Sequence, residues 1–325
     1  MEESIFKSRV DLTALNEQMQ RLKDQISKVI VGQDEMIELL MTAILADGHV
    51  LIEGVPGVAK TLTAKLLSRV IEVGFSRIQF TPDLMPSDVL GTSVYNLKTS
   101  EFEFKAGPIF SNIILIDEIN RAPAKTQAAL FEVMEERQVT IDGTTHKMKL
   151  PYLVVATQNP IEQEGTYRLP EAQLDRFLFK IVVKYPAFEQ EIDILTRHHQ
   201  RHGAQAVAEV DPVLNADQLS AFRTLAQQVH VEANLIKYIA QLTTETRSNA
   251  LLFLGASPRA SLSILASAKA YALIHGRDFV SPEDIKTVAY PVLRHRVILS
   301  PEKEMEGVTA DEIIRQIIDK IEVPR

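Results

Sequence analysis

The stretch from residue 50 to 61, Val-Leu-Ile-Glu-Gly-Val-Pro-Gly-Val-Ala-Lys-Thr, restricts the fold more tightly than any other part of the chain. Val50-Leu51-Ile52 reads as a buried strand, the run breaks at Gly54 into a turn-rich loop, and Lys60-Thr61 opens a helical pattern. Strand, loop and helix in that order are the setting of a phosphate-binding loop, G-x-x-x-x-G-K-[ST]. A tight loop through Gly54, Val55, Pro56, Gly57, Val58 and Ala59 aims backbone N–H groups inward. The helix behind it adds its own unpaired N–H groups and the positive end of its dipole. Gly54 and Gly57 are expected to let the backbone turn tightly and approach phosphates without a Cβ in the way. Lys60 would reach the β- and γ-phosphates, and the Thr61 hydroxyl would ligate Mg²⁺. One departure from the pattern is Ala59, which stands where the second glycine is usual. Alanine costs little there if the residue is already helical. The competing reading is an ordinary glycine turn before a helix, with a solvated lysine.

Composition narrows what such a loop can serve. With 325 residues and 46% hydrophobic content, the chain can bury one large core or two ordinary ones. A net charge of −8 argues against a chain-wide binder of nucleic acid or anionic membrane. The absence of cysteine removes disulfides, thiolate catalysis and cysteine-ligated zinc. Met1-Glu2-Glu3-Ser4 does not begin a secretory signal, and no apolar run is long enough to cross a bilayer. A soluble cytoplasmic protein is expected.

Leu12, Leu15, Met19, Leu22, Ile26 and Val29 recur at helical spacing, and a second helix is expected from Asp34 to about Leu45. Gln33, between them, is a candidate for contact with base and ribose; taken alone it also reads as the first residue of that helix. After the loop comes a helix to Ile71, then a strand at residues 75–80. Residues 92–104 suggest a hairpin or irregular insertion. Asn112-Ile113-Ile114-Leu115-Ile116-Asp117-Glu118 is the next strong signal, a central buried parallel strand ending in two acids. Ligands of doubly wound sheets sit outside the carboxyl ends of the strands, which puts these acids at the edge where the phosphate loop lies. In a nucleotidase of this type the first acid, Asp117, holds Mg²⁺ and the second, Glu118, polarises the attacking water. Otherwise Asp117 caps the helix that begins near Ala124.

A hairpin turning at Asp142-Gly143 is expected within residues 138–149, and Leu153 to Thr157 is a further buried strand ending in Gln158-Asn159-Pro160. Asn159 reads equally as an amide facing the γ-phosphate and as a turn former. A short helix over 169–176 leads into a strand at 177–183, giving about five parallel strands. Beyond Tyr185-Pro186 the β signal stops. Helices are expected over 188–202, 216–229, 232–248, 258–275, 281–294 and 310–322, with caps at Ser257, Ser281 and Asp311-Glu312. The division is therefore 1–186 for an α/β core and 187–325 for a small all-helical domain. His198, His199 and His202 share a helix without an acidic partner at ligand spacing, which favours a solvated face over a metal site.

Together these segments resemble AAA+ ATPases. Gly54 to Thr61, Ile113 to Glu118, Asn159, Asp175-Arg176-Phe177 and Gly255-Ala256-Ser257-Pro258-Arg259 recur there in this order. Val-Ile-Val-Gly-Gln, Gly-Val-Pro-Gly-Val-Ala-Lys-Thr, Ile-Asp-Glu-Ile-Asn-Arg-Ala, Ala-Thr-Gln-Asn-Pro and Leu-Pro-Glu-Ala-Gln-Leu-Asp-Arg-Phe resemble the MoxR subfamily. The likeness runs from about residue 12 to the C-terminus, and Ala59 fits it. The resemblance implies a P-loop NTPase αβα sandwich, a helical lid, ATP with Mg²⁺ as ligands and a ring, commonly a hexamer. It implies that Asn159 is sensor 1, that Arg259 is the sensor 2 arginine touching the γ-phosphate, and that Arg176 is the finger offered to a neighbouring subunit. Asp175 beside it is expected to hold that guanidinium when no neighbour is present. It further implies chaperone-like remodelling or maturation of protein complexes, often with a von Willebrand factor A domain partner. Two rivals are a DNA-directed motor and a non-hydrolysing scaffold. The first would need basic residues on the 138–150 hairpin, where Lys147, Lys149 and His146 stand with Asp142; the second would have no need of Glu118.

Overall fold

Two helices precede the first strand. In α1 (Thr13–Ser27) the apolar residues at helical spacing, with Leu12 before the helix and Val29 beyond it, are all buried. Helix α2 (Asp34–Leu45) is buried from Met36 to Leu45 except Glu38, packed against two neighbouring strands of the sheet, His49–Gly54 and Phe177–Val183. The computed structural model describes residues 12–160, 166–167, 169–202 and 205–324. The N-terminal tetrapeptide read above lies outside that set.

Strand β1 (His49–Gly54) leads through the loop into α3 (Lys60–Val70) and then β2 (Phe75–Gln79). A short α4 (Pro86–Leu90) is followed by a hairpin of β3 (Gly91–Asn96) and β4 (Glu101–Ala106). β5 (Ile113–Asp117) is buried at every position, and α5 (Ala124–Glu136) packs behind it. The second hairpin, β6 (Gln138–Ile141) and β7 (Thr144–Lys147), turns through Asp142 and Gly143, both at positive φ. The hairpins touch: Ser93 Oγ donates to Asp142 Oδ2 at 2.5 Å and the Phe104 and His146 rings stack at 4.1 Å. β8 (Leu153–Gln158), the one-turn α6 (Glu171–Leu174) and β9 (Phe177–Val183) complete the core.

The sheet has five parallel strands in the order β2-β5-β8-β1-β9. β5, β8 and β1 are central, which accounts for their nearly unbroken apolar runs. His49 at the start of β1 joins strands to helix. Its Nδ1 accepts from the Val154 N–H at 3.0 Å, so its Nε2 carries the proton and donates to the Met134 carbonyl at 3.0 Å.

The helices that follow are α7 (Phe188–Gln200), α8 (Ala216–Gln228), α9 (Ala233–Ser248), α10 (Pro258–Ile274), α11 (Pro282–Leu293), α12 (Pro301–Met305) and α13 (Ala310–Lys320). Ser281 caps α11 reciprocally with Asp284. At α13 the cap is Thr309, paired with Glu312, rather than Asp311-Glu312 itself. A small antiparallel pair, Leu252–Leu254 with Ile298–Leu299, interrupts the helices.

By contact the chain divides into two units. One is Lys23–Leu219; the other comprises the described residues of Met1–Leu22 and Ser220–Arg325. The β signal ends at Val183, yet α7 belongs with the core unit. Specific bonds account for that: Arg197 Nη1 donates to the Ser27 carbonyl at 2.7 Å, and Arg201 Nη2, at the end of the helix, to the Lys28 carbonyl at 3.3 Å. Among the described residues no helix is long and apolar enough to cross a membrane.

Candidate active site

The phosphate loop joins β1 to α3 with two left-handed residues. Gly57 has φ +88°, and a Cβ added there would meet nothing within 4 Å, so this corner of the loop is open. Ala59 has φ +60° and ψ +17°. It is therefore not already helical, as a low-cost alanine would require, but sits in the left-handed conformation that a glycine adopts without strain. Gly54 also serves a different purpose from the one expected. A Cβ on it would come within 2.9 Å of the Val183 carbonyl, so this glycine lets β1 lie close to β9. Lys60 folds back over the loop, and its Nζ donates to the Gly54 carbonyl at 2.5 Å. An ammonium bonded to its own loop's carbonyl is in place to be taken over by a phosphate oxygen. Thr61 follows in the first turn of α3, half-buried.

The two acids end the strand beyond β8. Ile116 pairs with Ala156 across β5 and β8, and Ile52 pairs with Thr157 across β1 and β8. The carboxyl ends of all three strands therefore finish together, with the loop and the acids separated by one strand, roughly 10 Å. Asp117 is buried, and Glu118 has φ +56°, a left-handed residue other than glycine at the point where the strand turns away.

Thr157 holds this turn. Its hydroxyl accepts from the Glu118 N–H at 3.1 Å and donates to Asp117 Oδ1 at 3.3 Å. On the other side β2 supplies two more partners. Arg77 Nε donates to Asp117 Oδ2 at 2.6 Å, and Gln79 Nε2 donates to Glu118 Oε2 at 2.9 Å. Arg121 forms an ion pair with Glu118 Oε2 at 3.0 Å. Arg77, Gln79, Arg121 and Thr157 were not singled out from the sequence. For Gln79 the only signal was its place at the end of a predicted strand, and strand order decides whose neighbour that is.

Asn159 lies just past β8 and is buried. Arg176 stands between α6 and β9, half-buried. Its guanidinium is held by α5 rather than by Asp175: Nη1 donates to the Phe131 carbonyl at 2.6 Å and lies 3.7 Å from Glu135. Arg259 belongs to the other unit, exposed in the first turn of α10, where its N–H bonds the Ser257 side chain at 3.2 Å.

A cavity of about 230 Å³ opens beside the loop, walled by Val31, Gln33, Val58, Leu62, Ile194 and His198. Mostly apolar walls with a few polar groups suit a flat heterocycle. Gln33 both lines it and donates Nε2 to the Lys184 carbonyl at 3.3 Å. His198 and Ile194 reach it from α7, a contribution invisible without the tertiary fold. Among the described residues no group of three or more His, Asp or Glu is gathered to hold a metal. Thr61 stands in the first turn of α3 at the loop and Asp117 ends β5 one strand beyond β8, and each carries an oxygen of the type a hard cation accepts. Few protein ligands, with phosphate and water completing the shell, is how Mg²⁺ is usually bound beside phosphates.

Comparison with known proteins gives the family and the fold. Residues 49–179 match the family model described as ATPase family associated with various cellular activities (AAA), and residues 244–317 match the AAA lid domain. The chain is 43% identical to Chaperone MoxR1 of Mycobacterium tuberculosis, over 94% of this chain and 82% of that one. It is 30% identical to Protein MoxR of Methylorubrum extorquens, over 96% and 97%. A crystal structure from Cytophaga hutchinsonii matches with TM-score 0.89 and 44% identity, covering 96% of this chain and 97% of that one.

Proposed function

The chain belongs to the MoxR family of AAA+ ATPases, and from that premise we propose that it hydrolyses ATP with Mg²⁺ and uses the cycle to remodel or mature protein complexes. One observation supports this above the others: β1, which feeds the loop Gly54–Thr61, and β5, which ends in Asp117-Glu118, finish at the same end of the sheet on either side of β8 and in register through it. A nucleotide whose base enters the cavity beside Gln33 and His198 would lay its phosphates along the loop toward those acids.

In the proposed reaction water attacks the γ-phosphoryl group in line, and ADP leaves. The backbone N–H groups of Val55 to Lys60 hold the phosphates, and the Lys60 ammonium leaves the Gly54 carbonyl to pair with them. Glu118, fixed by Gln79, Arg121 and Thr157, takes the water's proton. Asn159 orients that water. Thr61 and Asp117 are the residues that would hold Mg²⁺, which when bound would supply charge neutralisation to the phosphates. Arg259 contacts the γ-phosphate from the helical lid, and Arg176 reaches the site of a neighbouring subunit in a ring, taken to be a hexamer. Protein clients and a von Willebrand factor A domain partner are the expected company of such a ring.

Two variants test the chemistry. Lys60→Ala should lose both binding of a fluorescent ATP analogue and turnover. Glu118→Gln keeps shape and hydrogen bonding, so ATP should still bind while hydrolysis falls about 10²–10⁴-fold. Hydrolysis by Glu118→Gln at the wild-type rate would move the base elsewhere; unchanged affinity in Lys60→Ala would move the phosphate site.

A further inference from the structure

The sheet's edge strand places a guanidinium on the carboxylate proposed to hold the metal. Asp117 has only 11% of its side chain exposed, so its charge has left water and needs a counter-charge. Arg77 supplies it through Nε at 2.6 Å, from a diagonal cross-strand position: Arg77 faces Leu115 and Gln79 faces Asp117. The Arg77 side chain itself is 54% exposed. It therefore gives up little on swinging out to solvent. The other carboxylate oxygen already accepts from Thr157.

We propose that Arg77 is the resident counter-cation of Asp117, competing with Mg²⁺ and setting the Mg²⁺ concentration that the loaded site requires. The inference rests on Asp117 being the metal-facing acid. A divalent ion brought to Asp117 meets a positive charge within a few ångströms, and either repels it or displaces it. Either way, part of the metal's binding free energy goes into moving Arg77. Arg77 Nη2 also lies 3.5 Å from Gln79 Oε1, so its departure loosens the residue that holds Glu118. Arg77 is thus a positioning residue that couples the metal-facing acid to the water-facing one.

The test is a Mg²⁺ titration of fluorescent ATP analogue binding, read without turnover, on the full chain. In Arg77→Met the half-saturating Mg²⁺ concentration should fall about fivefold, the scale of a half-exposed ion pair. Arg77→Lys, which keeps the charge, should stay near wild type, and analogue affinity in EDTA should be unchanged in both. Asp117→Asn should abolish the Mg²⁺ dependence. If Asp117→Asn leaves that dependence intact, Asp117 is not the metal-facing acid and the proposal fails with that reading. If Asp117→Asn abolishes it while Arg77→Met leaves the half-saturation unchanged or raises it, the Arg77 proposal alone is overturned. An equal shift in EDTA would also overturn it, since Arg77 would then act on nucleotide and not on metal.

Discussion

Gln79 Nε2 donates to Glu118 Oε2 at 2.9 Å, so the acid assigned the water's proton is steadied from a neighbouring strand rather than from its own. Glu118 itself sits at φ +56°, where the chain leaves β5, and a carboxylate on such a corner depends on outside partners for its aim.

Replacing that partner should therefore affect chemistry and not binding. Gln79→Leu keeps the strand and removes the donor. We expect kcat to fall about tenfold, the scale of one hydrogen bond to a charged group, with KM unchanged. Steady-state kinetics is the check, and an unaltered kcat would reduce Gln79 to a surface amide.

Arg176 makes a prediction about assembly. Its guanidinium rests on the Phe131 carbonyl and near Glu135, on α5 of its own core, a hold that a stronger anion could break. Arg176→Ala should bind ATP normally and hydrolyse it poorly; fingers of this kind contribute on the order of 10³–10⁵-fold. Mixing Arg176→Ala with Glu118→Gln subunits should restore activity above either alone, because some sites then receive both residues. Activity equal to the sum of the two, in rings shown to be mixed, would rule out action across the interface.

A ring also needs a surface. Phe188, Ile192 and Leu195 lie at i, i+4 and i+7 on α7, with exposures of 75%, 44% and 66%. That is an apolar stripe of the kind a subunit interface would cover. Leu195→Glu is expected to shift the sedimentation profile toward smaller species while leaving the melting temperature of the chain nearly unchanged. An unchanged profile would place the interface on another face.

The loop's two left-handed residues give opposite expectations. Gly57→Ala should destabilise the fold by about 1–2 kcal/mol through backbone strain alone, since its Cβ would find open space. Ala59→Gly relieves the same kind of strain and should be neutral or stabilising by up to about 1 kcal/mol, even though it adds a glycine to the unfolded chain. Urea unfolding measures both. Destabilisation by Ala59→Gly would mean that the alanine methyl earns its place by packing.

These cases mark what the sequence can carry. The five strands, the loop and the acids were legible because each is a contiguous string: an apolar run, a spaced glycine motif, two carboxylates after a buried strand. Ala59's handedness was not, because alanine is ordinarily right-handed and only the loop's closure forces it over. Nor were Arg77, Gln79 and Thr157. Each acts through the neighbour that strand order gives it, and β2 and β8 lie on either side of β5 only in the folded sheet. The acceptor of Arg176 escaped for the same reason. Asp175 was adjacent in sequence, but α5 is adjacent in space.

β1 stands between two strands that come late in the chain: Val50 faces Val155 on one side and Phe179 on the other. A ribosome adding about 5–20 residues per second therefore exposes the phosphate loop on the order of ten seconds before its strand has neighbours. Until β8 and β9 emerge, the loop has no rigid base from which to present its N–H groups. Nucleotide capture thus becomes a late event of synthesis, and a chain stalled ahead of Phe177 should leave the ribosome without affinity for ATP.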